Sequence, residues 1–221
     1  MKAMLLAAGR GERLRPFTDT LPKPLIEVGG RPLIAWHLAA LAGAGFRDVV
    51  VNLSWLGQKL RDALGDGHRF GLRLHYLDEG AVALETGGGI VNALPLLGPA
   101  PFLVVSADIF TDLDFARLRL EPAALAHLVL VPNPAHHRAG DFGLQGDLVV
   151  LGGERLTYGN VGIYRPEFFA GCTPGRFPLV EPLKRAIGAG AVRGELFTGQ
   201  WSDVGTPERL SELNGRLAQV Q

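Results

Sequence analysis

Apolar residues follow two rhythms along the chain. Short, nearly unbroken runs at Lys2–Ala7, Asp48–Leu53, Phe102–Ser106 and Leu125–Val131 have the length and composition of strands buried on both faces. Leu72–Leu77 alternates and predicts a further strand. Between these runs the spacing becomes helical. Pro32 opens a segment whose Leu33, Ile34, Trp36, Leu38, Leu41 and Ala44 share a face, and Gly43 and Gly45 end it. Gln58–Leu64 and the glycine-led Thr86–Leu94 predict two more helices. This β-α-β-α order predicts an α/β fold: a Rossmann-like, mainly parallel twisted sheet with helices on both faces. After Pro132 the rhythm changes. Phe142–Leu144 and Leu148–Leu151 around Gly146-Asp147 predict a hairpin, and Asn160–Tyr164 a core strand. Pro178–Ile187 and Pro207–Leu217 predict helices, the latter capped by Thr206. One domain is expected, with a first half over about 1–132 and a small appended β/α part over about 133–221.

Composition narrows the classes. A length of 221 residues supports one domain with a sizeable core. Zero net charge argues against a nucleic-acid surface, without excluding a local basic pocket. Cys172 is the single cysteine, so no intrachain disulfide or cysteine-built zinc site forms, which suits a reducing cytosol. No run approaches a membrane span. The apolar start is too short for a signal peptide and meets Arg10, Glu12, Arg13 and Arg15 at once. A cytoplasmic protein is expected, working as a monomer or homodimer on small molecules, with no membrane or nucleic-acid partner.

Chemistry concentrates where the first strand ends. Gly9 and Gly11 let the backbone turn tightly and bring N–H groups to a polyphosphate, and Arg13 and Lys23 supply counter-charge. Leu14 stands where a dinucleotide fingerprint needs its third glycine, and no Gly-Lys-Ser/Thr follows as in a Walker loop. By themselves the glycines also fit an ordinary turn. Asp108 follows a buried strand and Asp203 precedes a helix; each is a rim acid or a cap. Gly87 and Gly88, within a triple glycine heading a helix, imply that something closely approaches that backbone. Glu79 reads that ligand, positions the loop, or is a solvated acid. Asp141 and Glu154 flank the hairpin and are candidates for sugar or phosphate contacts. His136-His137 reads as a loop pair, and Glu181 with Lys184 as a surface ion pair.

The string Gly9-Arg-Gly-Glu-Arg-Leu-Arg-Pro-Phe-Thr18 with Pro22-Lys-Pro24 resembles the signature of the sugar-1-phosphate nucleotidyltransferases, with every fixed position present. The resemblance spans nearly the whole chain and implies the nucleotide-diphospho-sugar transferase fold. It implies Ala8, Gly9, Gly11, Glu12, Arg13 and Lys23 at the nucleotide, with Arg13 and Lys23 catalytic, and Gly87, Gly88 and Glu79 near the base. Asp108 and Asp203, the latter in a Trp-x-Asp-x-Gly-Thr segment, would bind Mg2+, and Asn160 would line the sugar pocket. Relatives commonly carry asparagine or glycine where Ser106 stands; the asparagine amide would contact the sugar, so the resemblance places Ser106 at the sugar and leaves the exact acceptor open. Within the family, Asn52–Gln58, Leu84–Ile90 and Ala126–Pro134 look most like the branch that joins UTP to N-acetylmuramate 1-phosphate in cell-wall recycling. Other triphosphates (dTTP, GTP) and glucose, mannose or heptose 1-phosphates stay open.

Two other classes compete. A nicotinamide oxidoreductase would carry an acid where Asn52 ends the second strand. A non-catalytic nucleotide-sugar-binding protein would be expected to lose Lys23 or a metal acid, and both are kept.

Overall fold

The computed structural model describes residues 1–219. In chain order the elements are β1 (Lys2–Leu6), α1 (Phe17–Thr20), β2 (Glu27–Val28), β3 (Arg31–Pro32), α2 (Leu33–Gly43), β4 (Asp48–Leu53), α3 (Gly57–Leu64), β5 (Arg73–Asp78), α4 (Glu85–Leu97), β6 (Phe102–Ser106) and β7 (Ile109–Thr111). There follow β8 (Ala126–Val131), β9 (Phe142–Gln145), β10 (Leu148–Val150), β11 (Arg155–Tyr164), α5 (Val180–Gly188), β12 (Val192–Leu196), β13 (Trp201–Asp203) and α6 (Pro207–Ala218).

The main sheet has nine strands in the order β5-β4-β1-β6-β11-β8-β12-β10-β9. All run one way except β11 and β10. The expected parallel sheet is thus present, and the reversed β11 is its main departure. The two halves of the chain interleave, because β11 is inserted between β6 and β8. The later half is therefore woven into the sheet, where the sequence suggested an appended part.

The apolar strands are buried on both faces for the expected reason. Ala3 and Leu5 of β1, with Val49 and Val51 of β4, pack under Ile34 and Leu38 of α2. Met4 and Val50 point the other way, toward Ile90 and Ala93 of α4 and the α5 residues Leu183 and Ile187. A satellite cluster of Val28, Leu33, Phe110, Val204, Leu213 and Leu217 anchors α6 over a two-stranded sheet, β7 with β13. No helix among the described residues is long and apolar enough to cross a membrane.

Beneath β7, His37 of α2 is buried and its Nε2–H donates to the Ile109 carbonyl at 2.7 Å. Burial pushes its pKa down from 6.5 to about 4. The unfolded chain gains a proton below pH 6.5 that the native ring refuses until about pH 4, so stability falls as pH drops through that window. Between pH 7 and pH 5 the wild type is expected to lose about 2 kcal/mol more unfolding free energy than His37→Gln in urea titrations. Equal losses in both proteins would show that His37 is not held neutral.

Candidate active site

The carboxyl ends of β1, β4, β5 and β6 open on one cavity of about 510 Å3, where an open α/β sheet presents its ligand site. Ala8, Gly9, Gly11, Glu12 and Arg13 form one wall. Gly11 adopts φ +69°, and a Cβ there would lie 2.9 Å from Thr18 and 3.2 Å from Lys23. The loop therefore lies flat on the residues that follow it, tied by the Thr18 hydroxyl donating to the Gly11 carbonyl at 2.8 Å. Lys23, between its two prolines, is only 7% exposed. Its Nζ donates to Asp108 Oδ2 at 2.7 Å, at the cavity surface.

Asn52 and Glu79 brace the floor. Asn52 Oδ1 accepts from the Ala7 N–H at 2.7 Å, and its Nδ2 donates to Glu79 Oε1 at 2.7 Å. The other Glu79 oxygen accepts from the Leu84 N–H at 2.8 Å. Both oxygens are thus engaged in tying three strand ends to the start of α4, the loop-positioning alternative for this residue. Gly87 and Gly88 are approached closely, but by the chain itself. A Cβ on Gly87 would meet the Phe177 ring at 2.5 Å, and one on Gly88 the Gly175 carbonyl at 2.1 Å. The 175–177 strap explains these two glycines, and neither lines the cavity. In their place Ala83, Glu85 and Thr86 face it.

Arg13 and Thr86 also line a second cavity of about 530 Å3. Asp141, Asn160 and Asp203 lie here, whereas Ser106 lines the first cavity and Glu154 is exposed outside both. Asn160 sits at φ +57° in an irregularity of β11, a conformation asparagine tolerates. Asp141 is held by the Tyr158 N–H at 2.8 Å and by His137 at 3.0 Å. Asp203 is paired with Arg209 and lies 3.0 Å from His136 Nε2. The histidines do lie in a loop, as expected, but their rings meet the two acids. Glu181 and Lys184 form the expected surface pair at 3.1 Å.

The two distant acids are neighbours through backbone pairing. Asp203 faces Ile109 across β7–β13, and the Val204 N–H donates to the Asp108 carbonyl at 2.8 Å. Sequence reasoning missed Arg209, and it placed Asn52 at the rim where the second strand ends but did not find the brace it forms with Glu79. The signal for Arg209 was a cation in the first turn of a helix, where the dipole disfavours it unless an acid answers.

Residues 2–145 match the family model described as nucleotidyl transferase. The chain belongs to the nucleotidyl transferase family. It is 51% identical to the N-acetylmuramate alpha-1-phosphate uridylyltransferase of Neisseria meningitidis serogroup B, over 96% of each chain. It is 34% identical to the Caulobacter vibrioides protein of the same name, over 99% of this chain and 97% of that one. The inositol-1-phosphate CTP transferase of T. maritima shares the fold, with a TM-score of 0.81 and 18% identity over 99% of this chain and 96% of that one. As a nucleotidyl transferase the protein is an enzyme that acts on phosphates. Its donor set fits a hard divalent cation that shares its shell with substrate: two carboxylates, Asp108 just before β7 and Asp203 on the paired β13, each facing one of the two cavities, while no group of three metal-binding side chains gathers among the described residues. Magnesium commonly takes one or two carboxylates and completes its shell with substrate phosphate and water.

Gly88→Ala tests the strap. The added methyl meets backbone, so about 1–3 kcal/mol of destabilisation is expected in thermal or urea unfolding. Unchanged stability would mean the strap does not rest on α4.

Proposed function

We propose that the enzyme joins UTP to N-acetylmuramate 1-phosphate, giving the nucleotide sugar and pyrophosphate, in the cytosolic reuse of cell-wall sugars. The observation that carries the chemistry is the Lys23 ammonium on Asp108, at the edge of a cavity walled by the glycine loop. The choice of substrates rests on the 51% identity to the Neisseria uridylyltransferase. The triphosphate would occupy the first cavity and the sugar the second.

A sugar-phosphate oxygen attacks the α-phosphorus. The new P–O bond forms as the bond to the β-phosphate breaks, and pyrophosphate departs with the electron pair. The acceptor is already an anion, so no protein nucleophile or base is required. The protein's work is positioning and charge stabilisation. Arg13, which lines both cavities, would hold the leaving phosphates beside the Gly9 and Gly11 amides. Lys23 would turn from Asp108 to the α-phosphate or the sugar phosphate. Asp108 and Asp203 would hold Mg2+, which supplies charge neutralisation at the reacting phosphates. The Asn52–Glu79 brace would keep the base-side wall in place, and Asp141 and Asn160 would contact the sugar.

Lys23→Ala and Asp108→Asn are each expected to stay folded by circular dichroism and to lose on the order of 10²-fold or more in turnover. Pyrophosphate release from four triphosphates against several sugar 1-phosphates should be greatest for UTP with N-acetylmuramate 1-phosphate. No release from any pairing, or full turnover in both variants, would overturn the reading.

A further inference from the structure

N-acetylmuramate differs from the neutral amino sugars by a lactyl ether, which carries a carboxylate. Resting on the function proposed above, we infer that Arg209 and His136 form the subsite that reads this carboxylate and so selects acidic over neutral sugar 1-phosphates.

Three observations carry this. First, Arg209 is built into place. Its guanidinium lies against the backbone at Gly205, where an added Cβ would come within 2.7 Å of Nη2. It is the third residue of α6, where a cation opposes the helix dipole, and Asp203 offsets that cost. Its side chain is only 14% exposed, so it needs an anionic partner at all times. With Asp203 engaged by a divalent cation, as proposed above, Arg209 would lose that partner and gain a positive neighbour. An anion must then arrive with the substrate.

Second, the hydrogen bonding around His136 is contradictory. Its Nε2 lies 2.9 Å from Arg209 Nη1 and 3.0 Å from Asp203 Oδ1. Arginine only donates and carboxylate only accepts. Nε2 therefore accepts from Arg209 or donates to Asp203, never both. A ligand carboxylate receiving donors from both Arg209 and His136 resolves the conflict. It also matches the planar fork of the guanidinium.

Third, the location suits the sugar end. Arg13 and Thr86 mark the boundary with the triphosphate cavity. Arg209 and His136 line the sugar cavity and the groove beyond it, and are absent from the triphosphate cavity. Of the other basic side chains there, His137 is already bound to Asp141 at 3.0 Å and Arg216 lines only the groove, not the sugar cavity. The sugar phosphate has Lys23 to meet it and Arg13 is taken by the leaving phosphates, which leaves Arg209 for a second anion.

The test compares kcat/KM for N-acetylmuramate 1-phosphate and N-acetylglucosamine 1-phosphate, with UTP and Mg2+, in wild type, Arg209→Gln, Arg209→Lys and His136→Gln. The wild type is expected to prefer the acidic sugar. In Arg209→Gln the ratio of the two constants should fall roughly 10- to 100-fold, the size of a lost charge-assisted hydrogen bond. Lysine should restore part of it, and His136→Gln should lower it less. If Arg209 only orients Asp203 or meets the phosphate, both constants fall by one factor and the ratio holds, which overturns this inference and leaves the proposed function standing. Wild-type turnover with neither sugar overturns the functional reading and this inference with it.

Discussion

A nearly buried ammonium must have a partner, and the site is organised around that requirement. Lys23 is pinned between two prolines beneath the glycine loop, and Asp108 answers it at 2.7 Å. Arg209 of α6 and Asp203 of the neighbouring β13 repeat the arrangement. Each cation is matched to one of the two acids in the reaction scheme. In the proposed reaction, phosphates offered to Lys23 and a divalent cation offered to the acids would replace both partners together, so that binding would be an exchange of partners at nearly constant charge.

That exchange needs both acids to be held at one place by backbone. The β7–β13 pairing does this with three residues from each strand, and the Val28–Leu217 cluster presses α6 onto it. The long strands supply the rigid rim, and the Asn52–Glu79 brace links three of their ends to α4. The strap at 175–177 joins the two cavities more directly. It packs on Gly87 and Gly88, and its Arg176 pairs with Glu85 at 3.0 Å. Glu85 faces the first cavity, and Pro178 and Leu179 just beyond the strap face the second.

Much of this was legible from residue pattern. Strands with unbroken apolar runs announced themselves because both faces are buried, and β6 has the bounds its pattern gives. The glycine loop and Lys23 suggested a phosphate site by chemistry alone, and the structure brings them to one cavity. The elements that stayed hidden lack an apolar run. In β12, Arg193 and Glu195 alternate with Val192 and Gly194, and the strand forms only through its partner β8. In β13, three residues that include Ser202 and Asp203 have no strand signal without β7 opposite. The triple glycine signalled a close approach but not what approaches, since Phe177 lies ninety positions away. Arg209 carried only the weak signal of a cation in a first helical turn, because its meaning depends on Asp203 and His136 meeting it in space.

The central claim is that Asp108 and Asp203 serve one divalent ion. Electron paramagnetic resonance of Mn2+ binding, with UTP present, tests it in Asp108→Asn, Asp203→Asn and the double variant. Each single change is expected to weaken Mn2+ binding, and the double variant should lose far less than the two losses combined, because one shared site is already broken. Wild-type affinity in both single variants, or two fully additive losses, would contradict it.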